Sequence, residues 1–123
     1  MTIKEVSEKY NISQNTLRYY ERVGMIPSVH RTPGGIRDYQ EEDLGWVELA
    51  LCMRSAGLPV EAMSEYVKLV QQGDTTIPDR LKLLLEQREK LLAQQRQIQV
   101  TLDRLNGKIA KYEKENGILQ GRD

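Results

Sequence analysis

Apolar positions in the first forty residues recur at helical spacing in two short runs separated by a polar break. Ile3, Val6 and Tyr10 share one face, so residues 3–10 read as a helix. Thr2-Ile3-Lys4-Glu5 opens it as a capping box, in which the threonine hydroxyl caps the helix start and the glutamate reaches back. Asn11-Ile12-Ser13 breaks the pattern, and Ser13 suits the N-cap of a second helix, roughly Gln14 to Val23. Gly24 suits the residue just beyond that helix. Two short helices about a tight turn, with Val6, Tyr10, Ile12, Leu17 and Tyr20 able to fill the corner, describe a helix-turn-helix. That shape alone is common in all-helical proteins.

A different pattern follows. Val29-His30-Arg31-Thr32 and Ile36-Arg37-Asp38-Tyr39 are short β-capable runs, and Pro33-Gly34-Gly35 lies between them, which predicts a small hairpin. A hairpin directly after a helix-turn-helix is a wing, and Arg31 and Arg37 put a cation on each arm. A purely structural hairpin with solvated arginines is the alternative. Residues 41–56 read as a third helix with Glu41, Glu42 and Asp43 at its positive end, where dipole complementation is their plain role. Gly57 ends it, and Pro59 suits the first position of a fourth helix carrying Val60, Met63, Val67 and Val70. Gly73 to Pro78 reads as a linker, so the expected domains are 1–76 and 77–123.

The last segment is the most regular. Leu81, Leu84, Arg88, Leu91, Gln95, Ile98, Leu102, Leu105, Ile109 and Tyr112 follow 3-4 spacing without a slip, which is a heptad seam. Spanned as a helix it is about 47 Å long. Its polar a positions, Arg88 and Gln95, cost stability but can fix register and partner number. Leu85 and Leu92 widen the stripe in its N-terminal half, predicting contact with a further helix there. A helix folded back on its own domain is possible in principle. A stripe this long exceeds the surface that 76 residues offer, which favours a homodimer held by Leu81, Leu84, Leu91, Ile98, Leu102, Leu105 and Ile109. The fold class expected is therefore mainly α: a winged helix-turn-helix with a small β-hairpin wing, then a long C-terminal coiled-coil dimerisation helix.

Composition agrees with a core completed by association. Hydrophobic residues make up 39% of the 123 residues and phenylalanine is absent, which is lean for a self-sufficient domain. No apolar run reaches about 18 residues, and the first ten carry charges throughout, so a soluble cytoplasmic protein is expected, without a membrane partner. Net charge is zero, yet it is unevenly spread: +2 over residues 1–40, −5 over 41–76 and +3 over 77–123. Between Gln14 and Arg37 stand four arginines, Arg18, Arg22, Arg31 and Arg37, and a single acid, Glu21. A local cationic surface is what phosphates feel, so the charge permits DNA binding without proving it. One histidine, one cysteine and no triad, metal-ligand or phosphate-loop pattern argue against an enzyme, a metal site or a bound cofactor. A coiled-coil interaction module remains the other alternative; it leaves the arginine-tyrosine segment and the wing unexplained.

Asn15-Thr-Leu-Arg-Tyr-Tyr-Glu-Arg-Val-Gly-Met-Ile-Pro, with Gly35-Ile-Arg-Asp-Tyr39 and the following Glu-Glu-Asp-Leu, resembles the MerR family of bacterial transcription regulators from residue 3 to about 72. Ile36 departs from the pattern, since the family usually has an aromatic residue between the wing glycine and Arg37. The resemblance implies a second helix in the major groove with Thr16, Arg18 and Tyr19 facing DNA, and a wing bringing Arg37 and Tyr39 to the phosphate backbone. It implies antiparallel pairing of two long helices on a pseudo-palindromic site. It also implies distortion of promoter DNA so that RNA polymerase engages both promoter elements, with deformation energy offset by contacts.

Metal-sensing members chelate through two or more cysteines near the end of the long helix, and none stands there. Multidrug-binding members carry a further effector domain, which Glu113 to Asp123 is too short to supply. The chain most resembles the short aldehyde- and electrophile-responsive branch, the AdhR/NmlR-like regulators, which implies Cys52 in the third helix as a sensor thiol. A thiolate adds readily to aldehydes and Michael acceptors. A free cysteine is also often just a small packed hydrophobe, in which case an inducer would be a non-covalent ligand, or absent.

Overall fold

The computed structural model describes residues 1–121. Among them are five α-helices, α1 (Ile3–Tyr10), α2 (Gln14–Arg22), α3 (Glu41–Ser55), α4 (Val60–Gln71) and α5 (Ile77–Leu119), with a 3₁₀ turn at Asp74–Thr76. The chain divides into two compact units, Met1–Gln87 and Arg88–Asp123. That division falls inside α5, later than the expected 76/77, because the first turns of α5 pack on the N-terminal unit.

The N-terminal unit begins as its caps dictate. Thr2 and Glu5 form the reciprocal capping box, Glu5 Oε1 accepting the Thr2 N–H at 2.8 Å, and these bonds hold the Glu5 carboxyl below its ordinary range. Asn11 closes α1 in the left-handed region at φ 53°. Ser13 Oγ then accepts the Thr16 N–H at 3.0 Å to start α2. Gly24, at φ 78°, ends it: the Met25 N–H reaches Tyr20 O at 2.9 Å, and the Gly24 N–H reaches Glu21 O at 3.2 Å. This pair of bonds needs a positive φ at its centre, which glycine adopts without strain.

One core holds the unit. Val6, Leu17, Tyr20, Met25, Ile26, Val29, Tyr39, Val47, Ala50, Met63 and Val67 form a single buried cluster, drawing on α1 to α4 and on the segment before α3. Each fully buried aliphatic side chain here contributes about 1.5–3 kcal/mol. Ser64 Oγ donates to Val23 O at 2.9 Å, tying α4 to the end of α2. The Tyr10 hydroxyl donates to Glu48 at 2.7 Å, and its pKa is pushed up to about 12, by burial first and then by that carboxylate.

The expected wing takes a reduced form. Arg31 and Arg37 make one antiparallel bridge, and no longer strand ladder occurs among the described residues. Thr32 N–H donates to Ile36 O at 2.7 Å and Asp38 N–H to His30 O at 2.7 Å, with Pro33-Gly34-Gly35 at the turn. The ladder stops there because other donors on the arms are engaged elsewhere. Val29 N–H goes to Glu21, His30 N–H to Asp43, and Tyr39 N–H to Met1 O.

The linker is also shorter than the sequence pattern predicts. Only Gly73 stays outside regular structure, at φ 94°, and α5 starts at Ile77 with Pro78 in its first turn, where a missing N–H costs nothing. Arg80 clamps the junction, donating to Thr76 Oγ1 at 3.0 Å and to Gly73 O at 2.7 Å. Thr76 and Gln87 are buried and Arg80 and Leu83 half-buried, so these positions form the inward face of early α5. Leu85 and Leu92 are 39% and 37% exposed. In the second unit α5 continues as a single helix to Leu119, and Ile98, Leu102, Leu105, Ile109 and Tyr112 are all exposed.

Candidate nucleic-acid interface

Helix α2 is amphipathic in the strict sense. Leu17 and Tyr20 point into the core, while Asn15, Arg18, Tyr19 and Arg22 are exposed on the other side. Arg18 does not wave free. Its guanidinium donates to Asn15 Oδ1 at 3.0 Å and to Gln14 Oε1 at 3.3 Å, both one turn earlier on the same helix. The neutral amides orient the charge without cancelling it. Arg22 lies 5.4 Å from the centre of the Tyr19 ring, so a cation and an aromatic face are paired at the end of the same surface. Thr16 is half-buried, and its hydroxyl is 2.8 Å from Ser13 Oγ, which makes it part of the cap.

The wing residues are placed less simply. Arg31 and Arg37 both turn toward Glu21 of α2. Arg37 Nε donates to Glu21 Oε1 at 2.8 Å, and Arg31 stands 3.7 Å from Oε2. Glu21 Oε2 also accepts the Val29 N–H at 2.9 Å. Tyr39, expected at the phosphate backbone, is 2% exposed, and its hydroxyl is buried with no protein partner among the described residues. Its ring completes the core beneath the wing, and burial raises its pKa. As placed, this residue packs; it does not present a hydroxyl to a ligand surface. Ile36, where an aromatic residue was anticipated, projects from the turn at 68% exposure.

A further anchor sets the wing. Asp43, the third acid at the start of α3, is buried and accepts the Gln40 N–H at 2.8 Å, so it does more than complement the helix dipole. The same oxygen lies 2.8 Å from His30 Nδ1, and this hydrogen bond raises the His30 pKa. Glu21 and Asp43 are the wing anchors least visible in the sequence. For Glu21 a signal existed: it is the one acid amid four arginines between Gln14 and Arg37.

Beside Tyr19 an open groove of about 570 Å³ runs between the end of α2 and α4, bringing Lys68 and Gln71 alongside. Cys52 sits on α3 and is exposed. Among the described residues no group of three or more potential metal ligands occurs, and no helix is long and apolar enough to cross a membrane.

Comparison with known proteins agrees with this geometry. The profile of the MerR HTH family regulatory protein matches residues 1–69, and that of the MerR DNA-binding region matches residues 44–108. The chain is 48% identical over 92 residues to the HTH-type transcriptional regulator AdhR of Bacillus subtilis, a match covering 75% of this chain and 66%, just under two thirds, of AdhR. Its structure is similar to that of a MerR family regulator from Listeria monocytogenes, with TM-score 0.93, 41% identity and coverage of 98% of this chain and 92% of the other. It is also similar to HiNmlR, a MerR family regulator lacking the sensor domain and bound to promoter DNA, with TM-score 0.84, 31% identity and coverage of 98% and 94%. These relatives are transcriptional regulators and not enzymes. With its helix-turn-helix, its bridged wing and a family match over more than half its length, the chain belongs to the MerR family of helix-turn-helix regulators.

Proposed function

We propose that this protein is a homodimeric transcription regulator that inserts α2 into the major groove of promoter DNA, distorts it for RNA polymerase, and responds to aldehydes or related electrophiles through Cys52. The observation that carries the DNA reading is the exposed face of α2, on which Arg18 is held in place by uncharged partners. Arginine presented in this way bonds guanine edges or phosphates, with Tyr19 on the same exposed face and Thr16 at the helix start offered for base edges or a thymine methyl. HiNmlR, the promoter-bound relative, supports the same use of the fold.

Dimerisation is supported by the seam of α5. Leu81, Leu84, Ile98, Leu102, Leu105 and Ile109 are each 41–60% exposed, an apolar stripe broken only at Arg88 and Gln95 that a second copy would cover. Arg88 and Gln95 on that stripe would discriminate among registers. The electrophile reading rests on the exposure of Cys52, which gives a reagent access, and on the likeness to AdhR. An adduct on α3 would shift the elements packed around it, which include the core of the DNA-binding unit.

The test is transcription in vitro from the protein's own promoter, comparing wild type and Cys52→Ser with and without a reactive aldehyde. Activation of wild type alone supports the thiol switch. An equal response from both proteins refutes it and leaves the DNA-binding reading intact.

A further inference from the structure

The carboxylate of Glu21 sits where α2 meets both arms of the wing, and only 12% of its side chain is exposed. One oxygen takes the Val29 N–H at the root of the first arm; the other takes Arg37 Nε on the second arm, and Arg31 stands 3.7 Å away. A half-buried acid facing two arginines looks counterproductive on a surface meant for phosphates, because it offsets the charge that would attract them. Yet only Nε of Arg37 is engaged. The two terminal nitrogens of that guanidinium have no protein partner among the described residues, and the side chain is 24% exposed.

We infer that Glu21 is a positioning residue for DNA recognition, holding Arg37 by Nε so that its terminal nitrogens are aimed at one backbone phosphate. This rests on the DNA-binding reading above. A guanidinium is suited to this because its donors lie in one rigid plane: fixing Nε fixes the direction of the other two. The carboxylate–guanidinium–phosphate chain makes the phosphate contact geometric and not merely Coulombic, and a contact of fixed geometry sets the register of α2 in the groove. Glu21 therefore lowers general attraction to DNA while sharpening the preference for a site whose phosphate lies where Arg37 points.

A loss of folding or a loss of charge would weaken site-specific and general DNA binding together, whereas a loss of aim at Arg37 would not. Fluorescence anisotropy would be measured on the tightest duplex that wild-type protein selects from a randomised pool, and on a scrambled duplex of equal length, over a salt series. Glu21→Gln is expected to weaken the selected duplex about tenfold, while the scrambled duplex binds as well as before or better. The slope of log K against log salt on the selected duplex is expected to fall by about one, the loss of one phosphate contact. Arg37→Lys keeps the charge but has no fork, so it should lose the same preference. Adding Glu21→Gln to Arg37→Ala should cause no further loss, since the two act as one chain. If wild type shows no preference between the duplexes, the DNA-binding reading fails and this inference with it. If wild type discriminates and both Glu21→Gln and Arg37→Lys keep its preference and salt slope, Glu21 is structural only.

Discussion

Asp43 is the most instructive single perturbation, because one buried oxygen serves both a helix start and the wing. In Asp43→Ala the Gln40 N–H at 2.8 Å and the His30 N–H at 3.4 Å lose their acceptor, and the His30 ring loses its partner. A hydrogen bond to a charged acceptor contributes about 1.5–3 kcal/mol, and leaving a part-buried donor unpaired reaches the upper part of that range. The His30 N–H contact is long and adds little, and the half-exposed ring is screened by solvent, so neither enlarges the figure. The total is about 2–3 kcal/mol, which for a chain of this size lowers Tm by roughly 10 °C. Thermal melts by circular dichroism at one fixed protein concentration measure this, since an associating protein has a concentration-dependent Tm.

The same variant has a signature in pH. Asp43 raises the His30 pKa above its ordinary 6.5. The stabilisation is therefore fully present below about pH 6.5 and is lost as pH rises through the higher folded-state value. Wild-type Tm should fall across that window, and Asp43→Ala should lack this component of the fall. A variant that melts within about 2 °C of wild type, or that retains the full pH slope, would refute the role assigned to this carboxylate.

Three other outcomes follow from the same structure. Leu91→Asp, at the centre of the apolar seam of α5, should yield monomers in sedimentation equilibrium; a persisting dimer sinks the proposed pairing. Arg18→Ala removes the guanidinium held by Gln14 and Asn15 and should weaken binding to the selected duplex by about 1–3 kcal/mol, while unchanged affinity removes Arg18 from the interface. Tyr39→Phe deletes a buried hydroxyl that lacks a protein partner, so stability should hold or rise by up to about 1–3 kcal/mol, with DNA affinity unaltered. A clear loss of affinity in this variant would restore Tyr39 to the DNA surface.

Elements governed by near neighbours were legible in the chain itself. Thr2 with Glu5, Ser13 with Thr16, and Gly24 and Gly57 as helix ends are settled within a few residues of sequence, because caps and left-handed turns depend on local backbone geometry. The 3-4 repeat on α5 is equally local, and the face of α2 follows from period alone once Leu17 and Tyr20 are taken as core. The linker read over Gly73 to Pro78 is the local exception, because Pro78 reads as a breaker in a sequence while in the structure it occupies a first turn.

What the sequence could not supply is which partner each polar group finds across the fold. Arg37 and Tyr39 are two residues apart and share one motif, and a regular strand would put them on the same side, yet one remains part-exposed at the wing and the other closes the core, because the arm leaves its partner after Asp38 and the Tyr39 N–H turns to Met1 O. Glu21 meets Arg37, and Asp43 meets His30, only because the wing folds between α2 and α3. The chain by itself thus determined the helices, their ends and the family they build. Tertiary packing alone decided which arginines are free, which acids are spent on holding them, and which tyrosine is inside. Those outcomes depend on distances between segments that local sequence does not encode.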